Sequence, residues 1–388
     1  MVTVVLVAPV EAEDPTPQRD INDVIAKILG RDNSPKDHNT DSDSDGVGRR
    51  FFVFPTLGSN PALGVSFGAL TSVTNYWGDP TTTALSSILI STAFTTKKQL
   101  FLVARSDYYT PNDAWHLSGD WRYYDFMERT HGLGSNRANV PSVEVGYDWY
   151  RFHQVVSRPL WGGLEVGVGY HLDARRNILA RDEPQDLGSG GVGINTGSTT
   201  SSGVSLNLIY DRRDHPLNPE RGVLGRASYS FYRADFGSDT NWDNLQLEGR
   251  MYQRLTGFRR QVLSVWGIAW LTRAGQPPYF DLPSVGWDTY GRTARGYRAG
   301  RFRGRDWVYA EVEYRGDLMR NGLLGGVAFV NTSRFSDPTT DEHQRAAHAA
   351  GIGVRLKLDK ERRSNLALDV AWGRGESNGV FLAVNEAF

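Results

Sequence analysis

Three short patterns in the sequence have spacings that could carry chemistry. Gly64-Val-Ser66-Phe-Gly68 has the form of a nucleophile elbow, in which a serine on a sharp strand-to-helix turn attacks a carbonyl. Its surroundings alternate like a strand and no helical pattern follows, so this serine has no elbow to sit on. Gly188-Ser-Gly190-Gly-Val-Gly193 matches a dinucleotide fingerprint, again without a helix behind it to receive a pyrophosphate. Asp41-Ser-Asp43-Ser-Asp45-Gly46 opens like a calcium loop, but the twelfth position, where a bidentate glutamate belongs, is Phe52. The stretch reads instead as a solvated acidic linker. The 8 histidines show no metal-ligand spacing; His343 and His348 lie five apart in a loop. With no cysteine, thiolate chemistry and disulfides are excluded. The expectation is no enzyme, no cofactor and no metal. A membrane-embedded hydrolase stays only as a third reading, since it needs a Ser/His or Asp/His cluster at one rim that scattered residues do not declare.

The elements that would position any site follow from composition and period. Lys+Arg number 43 and Asp+Glu 44, a net charge of −1, which gives no field to recruit nucleic acid. No stretch reaches the roughly 18 consecutive apolar residues of a membrane helix. A transmembrane β-barrel also reads as hydrophilic, because alternate residues of each strand face a polar interior. The 42 glycines, 11 Trp, 17 Tyr and 17 Phe suit such a barrel, with its aromatic girdles.

From Arg50 onward the texture has a period of two. Leu164, Val166, Val168, Tyr170 and Leu172 alternate with Glu165, Gly167, Gly169, His171 and Asp173. Trp115, Leu117, Trp121 and Tyr123 alternate with His116, Ser118, Asp120, Arg122 and Tyr124. Val308, Ala310, Val312 and Tyr314 alternate with Tyr309, Glu311, Glu313 and Arg315. Charges gathered on one face and apolar groups on the other mark half-buried strands. Sixteen such segments centre near residues 53, 68, 90, 104, 120, 148, 167, 207, 228, 247, 266, 311, 326, 353, 369 and 383. Connections after even-numbered segments are mostly short (110–113, 158–159, 255–258, 317–321). The long ones, 129–140, 175–200, 274–305 and 333–347, all follow odd-numbered segments. Short periplasmic turns and long outer loops alternate in this way in an outer-membrane barrel. His116 and His171 then face inward and read as lumen lining rather than ligands. Pro55, in the first segment, removes a ladder donor and suits an edge, so the junction of first and last strands is the expected weak point.

The expected fold is all-β, a 16-stranded antiparallel transmembrane β-barrel over 51–388 with a short N-terminal helix and linker. Residues 1–12 carry a short apolar core and a Val10-Glu11-Ala12 end, read as a secretory signal whose start lies upstream; a buried strand is the other reading. Residues 13–50 form a periplasmic linker. Within it Ile21, Val24, Ile25, Ile28 and Leu29 make one helical stripe over 20–30, with Asp20 as N-cap and Gly30 as stop. So short a helix needs a partner surface: the membrane interface, the barrel mouth or another protein.

Four stretches resemble the BamA/TamA-type barrel, the bacterial surface-antigen superfamily. Phe54-Pro-Thr-Leu-Gly-Ser-Asn-Pro-Ala-Leu-Gly64 resembles its opening strand and first loop. Tyr210-Asp-Arg-Arg-Asp214, with Pro216-Leu-Asn-Pro219 and Arg221-Gly222, resembles its mid-barrel turn. Arg295-Gly-Tyr297, then Gly300-Arg-Phe-Arg303 and Glu313-Tyr-Arg315, resembles its sixth extracellular loop and the next strand. Asn385-Glu-Ala-Phe388 resembles its ending, with Phe388 as the signal read by the outer-membrane assembly machinery. The resemblance implies that a loop carrying Arg295, Gly296 and Tyr297 docks in the lumen and that its arginine meets acidic groups on the wall. Glu311 and Glu313 lie on the inward face of the following strand. Where the family has Phe-x-Asp-x-Gly, this chain reads Phe329-Val-Asn331-Thr-Ser333, so Asn331 brings an acceptor without charge. Ala294 replaces a larger aliphatic residue. The family's periplasmic POTRA domains find no room in 13–50: either this is a barrel-only branch or the front is missing. The implied role is insertion or translocation of protein or lipid at the outer membrane through a seam between first and last strands. The alternative is a passive pore or structural barrel. The implied partners are outer-membrane lipid, the assembly machinery with this chain as client, and a periplasmic partner met through helix 20–30.

Overall fold

The computed structural model describes residues 17–28, 50–60, 64–134, 142–180, 197–255, 260–289, 291–336, 344–360, 363–375 and 377–388. The signal segment 1–12, the acidic run 41–46, the glycine-rich 188–193, Gly30 and His343 lie outside the described residues. A single sheet of sixteen antiparallel strands follows chain order. The first four strands are β1 (Arg50–Asn60), β2 (Gly64–Asn75), β3 (Ser86–Thr95) and β4 (Leu100–Tyr109). Next come β5 (His116–Thr130), β6 (Val143–Pro159), β7 (Leu164–Ala180) and β8 (Gly197–Asp211). Then follow β9 (Gly222–Tyr232), β10 (Trp242–Arg254), β11 (Gln261–Gly275) and β12 (Asp306–Asp317). The last are β13 (Leu324–Phe335), β14 (Ala347–Asp359), β15 (Ser364–Gly373) and β16 (Asn378–Val384). Each of the sixteen expected centres falls inside a strand. β16 comes back to lie beside β1. Among the described residues no ladder joins these two, whereas every other pair of neighbours is hydrogen-bonded.

Alternation sorts each strand into two faces. In β12, Trp307, Tyr309, Glu311, Glu313 and Arg315 are buried, while Val308, Val312 and Tyr314 are exposed. Val168, Leu206, Val330, Ile352 and Val380 continue this outward apolar surface. Charged residues buried on the opposite face are paired with one another and with hydroxyl, amide and backbone groups, as burial away from water requires.

Three strand ends differ from the expectation. The segments 129–140 and 175–200 were expected to be loops, yet β5 runs on to Thr130, β7 to Ala180, and β8 begins at Gly197. β6 and β7 have 17 residues each, well beyond the ~9–11 that a membrane needs. The extension is held by packing from elsewhere in the chain. Tyr124, Phe126, Tyr147 and Trp149 form a buried cluster with Tyr279, Phe280 and Leu282 of the connection between β11 and β12. Such a long-range contact leaves no local signal. The 274–305 connection itself is not a solvated loop; most of it is packed inside the sheet.

The helix α1 covers Ile21–Ile28, within the expected 20–30, of which residues 29 and 30 lie outside the described residues. Asp20 and Asp23 cap it reciprocally: the Asp23 N–H donates to Asp20 Oδ1 at 3.1 Å and the Asp20 N–H to Asp23 Oδ2 at 2.9 Å. It rests against even-numbered turns of the sheet. Lys360 Nζ donates to Asp23 Oδ2 at 2.9 Å, the Lys360 N–H to Asp20 Oδ2 at 3.1 Å, and the Arg19 N–H to the Asn321 carbonyl at 2.9 Å. Burial works against ionisation of Asp23, but the Lys360 ammonium and the Asp20 N–H outweigh it and hold the carboxyl below its ordinary value.

Candidate functional site

The connection between β11 and β12 enters the interior and turns on residues 294–297. Ala294 and Gly296 both have left-handed backbone, φ 56° and 108°. A Cβ on Gly296 would lie 2.7 Å from the Ala349 Cβ on β14, so only glycine lets the turn lie flat on that strand. Ala294 is fully buried; a bulkier branched side chain would strain that backbone. Tyr297 fastens the turn beyond it. Its hydroxyl donates to the His348 carbonyl at 2.6 Å and accepts from the Arg374 N–H at 2.8 Å.

This turn aims Arg295, 3% exposed, at the wall. Nη1 donates to Asp369 Oδ2 of β15 at 2.6 Å, and Nη2 donates to both Glu311 and Glu313 of β12. The guanidinium lies 3.5 Å from the centre of the Phe329 ring. That ring has room because Gly351 stands beside it, where a Cβ would come within 2.4 Å of Phe329 Cζ. A planar fork matching several carboxylates is what arginine provides and lysine does not. The carboxylates are held in turn. The Tyr309 hydroxyl donates to Glu311 Oε2 at 2.6 Å, Arg315 Nε to Glu313 Oε1 at 2.7 Å and Arg355 Nη1 to Asp369 Oδ1 at 2.5 Å.

Asn331 sits opposite Glu311 in the β12–β13 register, but it is a donor rather than the acceptor expected. Its Nδ2 reaches the Arg295 carbonyl at 3.0 Å and Glu311 Oε2 at 3.3 Å. Facing a carboxylate and a carbonyl, only the amide nitrogen can bond. Phe388 is also placed unexpectedly. It leaves the strand and packs in the interior against Trp266, with ring centres 5.1 Å apart.

Sequence reasoning missed Asp369, although it is the one charge on the inward face of Leu366-Ala-Leu-Asp369-Val-Ala. It also missed a second anchorage of the same loop. Arg303 Nη2 donates to Glu128 of β5 at 2.6 Å, and Asp281 meets Arg175 of β7 and accepts from Ser201 Oγ of β8 at 2.6 Å. Loop residues have no period, so no pattern pairs them. Beside the loop remains a cavity of about 330 Å³ whose lining includes Asp120, Arg151, Asp173 and Glu248. His171 lines it, stacked on His153 at 4.2 Å, and His116 lies between Asp107 and Glu165. Ser66 lies within β2. Among the described residues no group of three or more acidic or histidine side chains is arranged to hold a metal. The arrangement at Arg295 ties the loop to β12, β13 and β15.

An Omp85 superfamily domain matches residues 86–379. No curated protein sequence matches the chain. Among solved structures, CdiB from Escherichia coli is similar with a TM-score of 0.58 and 11% identity, over 89% of this chain and 63% of its own. BamA from Haemophilus ducreyi lacking POTRA domains 1-3 is similar with a TM-score of 0.55 and 15% identity, over 87% and 70%. CdiB from Acinetobacter baumannii gives 0.53 and 12%, over 87% and 59%. The chain thus spans less than two thirds of either CdiB structure, and at these identities the likeness concerns the fold. A superfamily match across most of the strands, on a sheet of this architecture, places the chain: it belongs to the Omp85 superfamily, as a BamA/TamA-type barrel of the bacterial outer membrane.

Proposed function

We propose that this barrel inserts or translocates protein or lipid at the outer membrane by parting between β1 and β16, with the Arg295 loop bracing the interior. The observation that carries this reading is that, among the described residues, no ladder joins those two strands in a sheet where all other neighbours are paired. An edge without ladder bonds is where another strand can add or lipid can enter at least cost. Pro55 lies on β1 and β16 has only 7 residues, which further weakens that junction. Bracing follows from the chemistry of the dock: Arg295, Glu311, Glu313 and Asn331, joined by Asp369, tie the loop to three strands. Phe388 would serve as the assembly signal before folding, since it is buried afterwards. In the membrane, α1 and the even-numbered turns face the periplasm, where α1 could also meet a soluble partner.

A cysteine in β1 joined to one in β16 tests the reading, and the absence of native cysteine keeps the background clean. Loss of client assembly in the locked barrel, restored by reduction, is the expected result. Full activity of the locked form would sink it. The passive-pore alternative predicts large steady conductance in planar bilayers, whereas a loop-filled lumen gives small, flickering openings.

A further inference from the structure

The wall strand β16 ends at Val384, and the chain does not continue along the barrel. Asn385 has φ 69°, a left-handed turn that sends residues 386–388 inward. Two sets of arginines receive this tail. On the wall, Arg355 Nε donates to Glu386 Oε2 at 2.7 Å, and Arg315 Nη2 donates to the Phe388 carbonyl oxygen at 2.7 Å. From the loop, Arg292 Nη2 donates to the Val384 carbonyl at 2.7 Å, while its Nη1 donates to the Glu386 carbonyl and more loosely, at 3.4 Å, to that of Asn385. A strand that turns out of its ladder leaves carbonyls without partners, and a buried carbonyl must find one. Arg292 supplies a charged fork to three in succession.

We propose that Arg292 is a positioning residue that latches the seam strand from inside, so that β16 and the docked loop move as one unit. Two observations beyond the contact itself carry this. First, β16 is held to β15 by a register from Leu366↔Val384 to Trp372↔Asn378 and, among the described residues, has no ladder on its other side; the tail adds to that hold. Second, the tail and the Arg295 dock are joined through two arginines, since Arg315 and Arg355 hold the tail and also bond carboxylates of the dock. Arg315 and Arg295 both bond Glu313, and Arg355 and Arg295 both bond Asp369. Pulling the tail out therefore takes the Glu386 carboxylate away from Arg315 and Arg355, the arginines that also hold the dock's Glu313 and Asp369, and undocking the loop withdraws Arg292 from β16. The latch takes its purpose from the seam reading above, but its test reads structure rather than transport.

Hydrogen–deuterium exchange of the full chain, compared with Arg292→Ala and Arg292→Lys, decides it. In Arg292→Ala, exchange over residues 378–388 should rise about tenfold or more while β5–β10 stays at the parent rate. Arg292→Lys keeps the charge without the fork and should fall between. Should Arg292→Ala not fold, Arg292→Gln keeps a neutral donor without the charged fork and should give a smaller rise over the same residues. Parent-like exchange over 378–388, or a rise spread evenly over all strands, overturns the latch. A locked seam that leaves transport intact would remove the seam reading while leaving this exchange result standing, so the two can fail separately.

Discussion

The two walls that meet at the seam are built from different materials. β1, β2 and β3 together contain one charged residue, Arg50, and β2 presents half-buried small residues to the interior. β12 alone carries Asp306, Glu311, Glu313, Arg315 and Asp317, and with β13–β15 it is clamped by the Arg295 loop. One wall is nearly free of charged side chains, and the other adds a buried ion cluster to its ladders. Ladder bonds reform after a strand shifts. A guanidinium seated among three carboxylates cannot shift without leaving buried charge unpaired. If the barrel parts between β1 and β16, the yielding lip should be β1–β3.

The strongest way to break this contrast is to remove the clamp. Arg295→Ala leaves Glu311, Glu313 and Asp369 facing one another, and we expect a loss of about 3–5 kcal/mol, the usual cost of orphaning a buried charge. The check is heat-dependent mobility of the folded barrel on gels; a parent-like transition would reject the bracing role. Asn331→Asp should cost about 1–3 kcal/mol, because it deletes two donated hydrogen bonds and sets a carboxylate against Glu311. This holds even though relatives are expected to carry aspartate there, so the same gel assay separates this chain's geometry from the family pattern. Without any substitution, amides of β1–β3 should exchange with deuterium at least about tenfold faster than those of β12–β14. Equal protection would erase the distinction between the lips.

Smaller effects sharpen it. Gln246 is exposed on the cavity side of β10, and Gln246→Ala should alter stability by no more than about 0.5 kcal/mol. A larger change would mean that the cavity wall is also braced. The smallest effect belongs to α1. Because the Asp23 carboxyl is held below its ordinary value of 3.8, its contribution to docking is fully present above that pH and is lost as pH falls below it. Protease sensitivity of residues 17–28 should therefore rise only under acid. A rise between pH 5 and 7 would point to a different contact.

Much of this is legible in the sequence. The Tyr309-Ala-Glu311-Val-Glu313-Tyr-Arg315 alternation assigns the carboxylates to the inner face, because a strand has a period of two and a charge facing lipid costs several kcal/mol. The same rule would have flagged Asp369. It could not reveal that Asn331 donates, since an amide takes its orientation from the groups around it. Nor could it show that 175–180 stays in strand, which depends on aromatic residues of a loop a hundred positions away.

Strand number, strand order and the sorting of residues between lipid and interior thus follow from the sequence alone, because each is decided by local alternation and chain connectivity. The aim of the loop, the carboxylates that Arg295 gathers and the inward turn of residues 385–388 were decided by tertiary structure. They depend on which groups lie across an enclosed space, where each buried charge must be satisfied by whatever faces it, and no sequence spacing records that distance.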